Sequence, residues 1–316
     1  MNATERPTKK WKFIVDPCKL NQKMVQISRS GERFSSEIYT LDSLESTIQN
    51  SEISQRIRQK WNEALEKNPG LKPGLKFRLF KDPSIEKRED SMNGYTIKRE
   101  EQLGKFEYLD KITRIKLQMG ITDYGVFVAT NSAAKYDSEH ARFLMEKGRI
   151  FFGDENLLFA SPVGNCAIVE SSDNKIALIK RAMDLYEYPG FYDTPGGHAE
   201  PTKHGFTSEG HFRAIMDEVS EEINIPFESI EESHFIGMMV NLENFRKPDM
   251  LFYLKTGLRS DRINIGEEVS GLKKLSTDEL FEILTKRKDY ELVPSSQALM
   301  VSYFSQRNYD TNLFPF

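Results

Sequence analysis

The chain has 316 residues, of which 38% are hydrophobic and 29% charged, a composition typical of a soluble globular protein with one or two domains. Its formal net charge of −4 argues against general nucleic-acid binding, because affinity for the phosphate backbone depends on clustered Lys and Arg. No apolar run approaches the roughly 20 residues of a membrane-spanning helix, so we expect no membrane partner.

The start of the chain and its two cysteines indicate an intracellular location. The opening MNATERPTKKWK is polar and lacks the apolar stretch of a secretory signal. Cys18 and Cys166 are too few for a disulfide framework and have no zinc-site spacing, so we expect both to be reduced and without a role in the site. The expected compartment is the cytosol or nucleus.

The first eighty residues predict a β-rich region interrupted by one helix. Short β-like runs (KFIVD, KMVQI, EIYTL) precede a helical stretch at about Ser51–Lys67, which the proline and glycine of NPGLKPG end. One face of this helix carries an apolar stripe of Ile53, Ile57, Trp61 and Leu65. The stripe is typical of core packing, and a strand at Leu75–Phe80 follows it.

The middle of the chain gives weaker patterns. A charged loop, KDPSIEKREDSMNG, is followed by a strand pair or a strand and helix up to Met119. The segment Leu117–Tyr136 predicts a structured loop with a short helix, in which Tyr124 and Phe127 belong to the core or to a binding surface.

From Pro162 onward strands and turns alternate clearly. The predicted elements are a hairpin at Val163–Ala182, strands at about Ser233–Asn241 and Met250–Lys255, and helices from near Thr277 and at about Ser295–Ser305. This order predicts an α/β or α+β fold without internal repeats.

An acidic helix at Ser208–Pro226 has the strongest helical periodicity in the chain. Its apolar stripe consists of Phe212, Ile215, Met216, Val219 and Ile223. Glu218, Glu221 and Glu222 then lie together, because positions i, i+3 and i+4 are neighbours, and no Lys or Arg lies four residues after any of them. The missing cation points to Mg²⁺ or Mn²⁺, although a solvated acidic face also accounts for the clustering.

The glycine pair Gly196–Gly197, followed by this acidic helix, resembles the Nudix hydrolase signature GX5EX7REUXEEXGU, in which U is aliphatic. The helix matches the core of that signature at Glu218, Val219, Glu221, Glu222 and Ile225, and Glu209 falls at the upstream acid. Three departures stand out. Gly197 lies six residues farther from Glu218 than in the signature, Asp217 replaces its arginine, and Asn224 replaces its later glycine.

PGGHAEP, the enlarged loop, KFRL and GITDYGVF-ATN together resemble one branch of the superfamily, the uridine diphosphate glucose pyrophosphatases. That resemblance implies an α/β/α sandwich at residues 151–316, preceded by a β-rich α+β domain at 1–150 that contributes to substrate binding. It also implies Mg²⁺-dependent cleavage of UDP-glucose and UDP-galactose to UMP and sugar 1-phosphate.

Residue by residue, the resemblance implies metal ligands and catalytic acids on the acidic helix. Glu218, Glu221 and Glu222 are the expected ligands, with Glu221 and Glu222 catalytic. Lys180 and Arg181, at the end of a hairpin strand, either bind the diphosphate or face solvent, and Arg181 is counted here as substrate-binding. The full set of expected substrate contacts is Tyr124, Asn131, Asp193, Gly196, Gly197 and Arg181.

The three histidines near the glycines and the acidic helix have no assigned role. His198 is expected to be a solvated turn residue, with phosphate contact as the alternative, and His204 and His211 are expected at the surface. The residues leave open another nucleoside diphosphate substrate, such as ADP-ribose, a dinucleotide or coenzyme A. They also leave open a catalytically silent nucleotide-sugar binding protein, because Asp217 replaces the arginine.

Overall fold

The computed structural model describes residues 10–15, 25–29, 38–79, 83–87, 112–183, 185, 187–266, 269–286 and 291–315. The strands are β1 Trp11–Val15, β2 Val25–Arg29, β3 Ile38–Tyr39, β4 Leu75–Leu79, β5 Ser84–Lys87, β6 Ile112–Asp123, β7 Gly164–Glu170, β8 Lys175–Arg181, β9 Tyr192–Asp193, β10 Gly196–His198, β11 Ile230–Asn241, β12 Lys247–Thr256 and β13 Val269–Ser276. The helices are α1 Leu44–Ile48, α2 Ser51–Lys67, α3 Tyr124–Phe127, α4 Ala133–Tyr136, α5 Ser138–Phe152, α6 Pro201–His204, α7 Ser208–Ile223, α8 Thr277–Lys286 and α9 Pro294–Ser305. Over these described ranges, every helix is too short or too polar to cross a bilayer.

An eight-stranded sheet forms the centre of the second half. Its order is β1-β11-β12-β7-β8-β13, with β10 beside β7 and β9 beside β8. Successive residues of a strand point to opposite faces, so Ala167 and Val169 pack in one core with α7, whereas Ile168 packs in another with α8 and α9. Helices therefore cover both faces, which confirms the predicted α/β fold class.

Helix α7 lies on the sheet through the predicted apolar stripe. Phe212, Ile215, Val219 and Ile223 are buried, and Met216 is partly buried. Thr207 caps the start by accepting a hydrogen bond from the Gly210 N–H. Asn224 ends the helix in the left-handed conformation, with φ 52°, which asparagine tolerates in place of glycine.

A second sheet has five strands, and β6 is its hub. Strands β2 and β3 pair with β6 in parallel, whereas β4 and β5 pair with it in antiparallel orientation. The predicted charged loop therefore contains a strand, β5, and residues 81–82 and 88–94 of that loop lie outside the described residues. The sequence did not predict β5, because its residues are mostly polar and its pairing partner β6 is distant in sequence.

The segment predicted as a structured loop is also more regular than expected. Strand β6 continues to Asp123, whose carboxylate accepts hydrogen bonds from the N–H groups of Val126 (2.6 Å) and Leu41 (2.7 Å). This cap starts α3, and a π-helical turn at Val128–Ser132 joins it to α4. Strand β13 and helix α5, by contrast, were not predicted from the sequence.

The two halves of the chain interlock. Strand β1, from the start of the chain, pairs with β11 in the large sheet, so one element of the first half completes the fold of the second. The Phe77 ring of β4 packs on the His211 ring of α7, with 4.6 Å between centroids. The division at residue 150 stays a prediction, and β1 crosses it.

The expected surface position of His211 is wrong. Its side chain is fully buried, and neither ring nitrogen has a hydrogen-bond partner among the described residues. Burial lowers the pKa of His211 to about 3. The helical pattern could have indicated this, because His211 lies four residues before the buried Ile215, on the same face of the helix.

We expect His211→Phe to flatten the pH dependence of stability in acid. The unfolded chain binds a proton at His211 near its ordinary pKa of about 6.5, whereas the folded protein resists it down to about 3. The wild type should therefore lose stability as the pH falls below about 6.5, by about 1.4 kcal/mol per pH unit from this group. Urea unfolding at pH 7 and pH 5 measures the difference. Equal pH slopes in the two proteins would contradict the assignment.

Candidate active site

A cleft of about 640 Å³ opens between the two halves of the chain, and we call it the main cleft. Its lining consists of Lys72, Pro73, Gly74, Lys76, Tyr124, Arg181, Leu185, Gly196, Gly197, His198, Glu200, Lys203, His204, Ala214, Asp217, Glu218, Glu221 and Glu222. Four of these side chains are cationic and five are acidic. The first half supplies the residues from Lys72 to Tyr124, and β8, β10, α6 and α7 supply most of the others.

The two glycines hold the acids of α7 against the sheet. They form strand β10 rather than a turn, and neither has a positive φ. The Gly196 N–H donates a hydrogen bond to Glu222 Oε2 at 2.8 Å, and a Cβ on Gly197 would collide with the carboxylate of Glu218. Glycine is required here for close approach, not for turning the chain.

The three glutamates of α7 differ in environment. Glu222 is 9% exposed, and burial raises the pKa of its carboxyl to about 9, with the nearby acids Asp193 and Glu218 raising it further and the Gly196 N–H opposing them. Glu221 is exposed. A buried carboxylate next to other acids is stabilised in its charged form by a cation.

The arrangement fits a metal held by two carboxylates. In the part of the chain that the structure describes, no group of three or more His, Cys, Asp or Glu side chains is placed to hold an ion. Mg²⁺ is commonly bound by one or two carboxylates, with waters and substrate phosphates completing its octahedron. Glu218 and Glu222, which both approach β10, fit that donor set, and Glu221 lies farther out.

The enlarged loop explains Asp217. Its residues form α6, in which Lys203 Nζ lies 2.9 Å from Asp217 Oδ2 and His204 Nε2 lies 3.1 Å from the same oxygen. His204 Nδ1 accepts a hydrogen bond from the Glu200 N–H, so the ring proton is on Nε2 and donates to Asp217. Burial opposes ionisation of Asp217, but these two hydrogen bonds lower its pKa.

Lys203 also reaches the acidic edge of α7, since its Nζ lies 3.7 Å from Glu221 Oε1. The helix thus has a cation beside Glu221 although Asp217 stands where the signature has arginine. The expected surface position of His204 is wrong, because only 4% of its side chain is exposed.

A second, smaller cavity of about 160 Å³ adjoins the main cleft, and we call it the side cavity. Its lining consists of Asn165, Cys166, Arg181, Glu187, Tyr188, Asp193, Thr194, Gly196, Gly197, His198, Asn241, Lys247, Asp249, Val293 and Ser295. Two ion pairs lie in this wall, the partly buried Arg181–Asp193 pair at 2.9 Å and the buried Lys247–Asp249 pair at 2.8 Å.

Most of the substrate and metal residues predicted from the sequence come together. Tyr124, Gly196, Gly197, Arg181 and the three glutamates line the main cleft, and Asp193 lines the side cavity. Asn131 does not reach either cavity. Its buried amide donates to the Asn244 carbonyl at 3.1 Å and accepts from the Ser161 N–H at 3.0 Å, so it joins the two halves instead.

Two further predictions concern His198 and the cysteines. His198 is not a solvated turn residue, since it lines both cavities and burial lowers its pKa well below the usual range. Its Nε2 has no hydrogen-bond partner among the described residues. Cys166 is a free, buried thiol, and Cys18 lies outside the described residues.

Sequence reasoning missed several charged residues around the cavities. Lys76 of β4 pairs with Glu200 at 2.7 Å, and neither residue was proposed. Lys247 and Asp249 directly precede the apolar run from Met250 to Leu254 in strand β12, and that contrast was the available signal. Lys203 carried no signal of its own, because its partners lie on another helix.

The chain is similar to known proteins along most of its length. It is 30% identical over 263 residues to Nudix hydrolase 9 of Arabidopsis thaliana, covering 74% of this chain and 75% of that protein. It is 24% identical over 211 residues to the human uridine diphosphate glucose pyrophosphatase NUDT22, covering 60% of this chain and 68% of that one. No family model matches the chain. A MutT protein from Methanosarcina mazei Go1 superposes with a TM-score of 0.34 and 18% identity, over 46% of this chain and 95% of that structure.

We expect Gly197→Ala to weaken metal binding. The new Cβ collides with the Glu218 carboxylate, which must move away from β10, and overpacking of this kind costs about 1–3 kcal/mol. Calorimetric titration with Mn²⁺ should show affinity reduced by about tenfold or more. Gly74→Ala is the matched control, because its Cβ would meet nothing within 4 Å in the same cleft. Unchanged Mn²⁺ affinity in Gly197→Ala would contradict the role given to Glu218.

Restoring the signature's arginine should destabilise the protein. Asp217→Arg places a second cation beside Lys203 and leaves the buried His204 Nε2–H without its acceptor. Loss of that acceptor alone, as in Asp217→Ala, should cost about 1–3 kcal/mol, and the arginine more. Lys203→Ala, which removes a half-exposed partner, should cost less than about 1 kcal/mol. Urea unfolding measures all three, and an arginine variant as stable as wild type would refute this account of Asp217.

Proposed function

This chain belongs to the Nudix hydrolase family, a family of hydrolases acting on pyrophosphate bonds, and from that premise we propose that it cleaves UDP-sugars. The proposed reaction is Mg²⁺-dependent hydrolysis of UDP-glucose and UDP-galactose to UMP and sugar 1-phosphate. The observation that carries the proposal is the main cleft, in which acids of α7 face cations and Tyr124 from the first half of the chain.

The acids of α7 are proposed to hold the metal and move the proton. Glu218 and Glu222 would hold Mg²⁺, with Mn²⁺ as a substitute, and the chemistry it supplies when bound is neutralisation of the diphosphate and acidification of a water. Glu221 is exposed to the cleft and would accept the proton of that water. The Gly196 N–H keeps Glu222 oriented during these events.

Cations on three sides of the cleft are proposed to bind the diphosphate. Lys76 comes from β4, Lys203 from α6 and Arg181 from the end of β8. Each is held by an acid within 2.9 Å, so its position is set before the substrate arrives. Exchange of a protein carboxylate for a phosphate oxygen preserves the charge-assisted hydrogen bond.

The first half of the chain is proposed to bind the nucleoside. Pro73 and Tyr124 line the same cleft as the glutamates and supply an apolar and an aromatic surface. Such surfaces suit the flat faces of a pyrimidine. Residues 1–150 would thus contribute to substrate binding as well as to the fold.

We expect the purified protein with Mg²⁺ to release UMP and sugar 1-phosphate from UDP-glucose and UDP-galactose. Glu222→Gln should reduce kcat by about 100-fold or more, because it removes a buried charge that the metal requires. Glu228→Gln is the control, since Glu228 is exposed outside both cavities. Product separation by ion-exchange chromatography measures both.

The same assay identifies the substrate class. ADP-ribose, a dinucleotide and coenzyme A should give lower kcat/KM than the UDP-sugars. A higher value for any of them would replace the proposed substrate and keep the reaction type, whereas release of glucose in place of glucose 1-phosphate would contradict cleavage of the diphosphate.

A further inference from the structure

We propose that the side cavity is the subsite for the sugar, an inference that rests on the proposed function. The cavity adjoins the main cleft at Arg181, Gly196, Gly197 and His198, which line both. A diphosphate at the glycines therefore has the large nucleoside-sized space on one side and the side cavity on the other. The smaller group attached to the diphosphate is the sugar.

The wall of the side cavity has the chemistry that sugar hydroxyls need. Lys247 is buried, and among the described residues its ammonium donates only to Asp249, although it has three N–H donors. Burial opposes its charge, but Asp249 and Glu187 raise the pKa of Lys247, so it stays cationic. Each hydroxyl of a hexose can accept from such a donor and donate to a carboxylate.

Acceptors stand around the same space. Asp249 accepts from Lys247 through Oδ1, Asp193 accepts from Arg181 at 2.9 Å, and Glu187 accepts from the Asn244 amide at 2.7 Å. Burying charged groups costs free energy, and packing alone does not require three carboxyl groups and two cations in one wall. We therefore attribute this wall to ligand binding. A polyol satisfies donors and acceptors of this density together.

The side cavity is poorly suited to a nucleobase. Its aromatic ring, Tyr188, already packs against Lys135 Nζ at 3.8 Å from the ring centroid and against Phe191 at 5.6 Å between centroids. A base needs a flat surface on which to stack. The main cleft supplies Tyr124 and Pro73 for that purpose.

The position of the charged wall is fixed by residues around it. A Cβ on Gly164 would collide with the Asp249 carboxylate and lie too close to Lys247 Nζ. Strand β7 therefore needs a residue without a side chain at this position. Asn131 holds the Asn244 carbonyl, and the Asn244 side chain holds Glu187. The motif in the first half of the chain thus supports the sugar subsite indirectly.

The test fills the cavity without touching its charges. Ser295→Leu places a larger apolar side chain in the wall near the start of α9, and Ser305→Leu, at the end of α9, is the matched control. The substrates are UDP-glucose and the methyl ester of UDP, which has the same nucleoside and diphosphate but no sugar. Ser295→Leu should lower kcat/KM for UDP-glucose by about tenfold or more, and change that for the methyl ester by less than about threefold.

Asp249→Asn is the second variant, because it keeps the shape of the wall and an acceptor for Lys247. It should show the same split between the two substrates. An equal loss on both substrates, or no loss on UDP-glucose, overturns the inference. A changed ratio of UDP-glucose to ADP-glucose hydrolysis would assign the cavity to the base and also overturns it.

Product binding separates this inference from the proposed function. Calorimetry with glucose 1-phosphate and with UMP needs no turnover, and Ser295→Leu should weaken glucose 1-phosphate binding alone, by about tenfold. If the wild type cleaves no UDP-sugar, the proposed function fails, and the titrations still decide the subsite. Wild-type protein that does not bind glucose 1-phosphate, or a variant that binds it equally well, overturns the sugar assignment.

Discussion

The close approach of helix α7 to strand β10 is the constraint on which the candidate active site depends. The Gly196 N–H holds Glu222 at 2.8 Å, and the missing side chain of Gly197 leaves room for Glu218. The buried apolar stripe of α7 packs on the sheet and fixes the rotation of the helix about its own axis. Both acids therefore stay over the glycines. Apolar packing on one face of the helix therefore positions the charged groups on its edge.

The departures of this chain from the family signature form one structural unit. The enlarged loop folds as α6, and its Lys203 and His204 both bind Asp217. In the signature a cation belongs to the acidic helix itself. Here an acid occupies that position, and the cation is Lys203 of α6, whose Nζ lies 3.7 Å from Glu221 Oε1. The cation near the site is thus retained, although it comes from a different element.

The two halves of the chain contribute to the cleft in different ways. Lys76 and Tyr124 line the main cleft directly, whereas Asn131 acts at a distance by holding the segment that carries Asn244. The first half therefore supplies both ligand-facing groups and support for the second. Strand β1 joins the large sheet, so neither half is independent of the other.

The sequence alone determined the elements and contacts that depend on residues close together in the chain. Helix α2, the hairpin of β7 and β8, and the acid edge of α7 follow from periodicity and turn chemistry, which act over a few residues. The family signature also located the acids and glycines of the cleft. Only the tertiary structure decided the partners of Asp217 and the burial of the Lys247–Asp249 pair in the cavity that Asp193 also lines. These depend on which distant segments the fold brings together, and no local pattern encodes that choice.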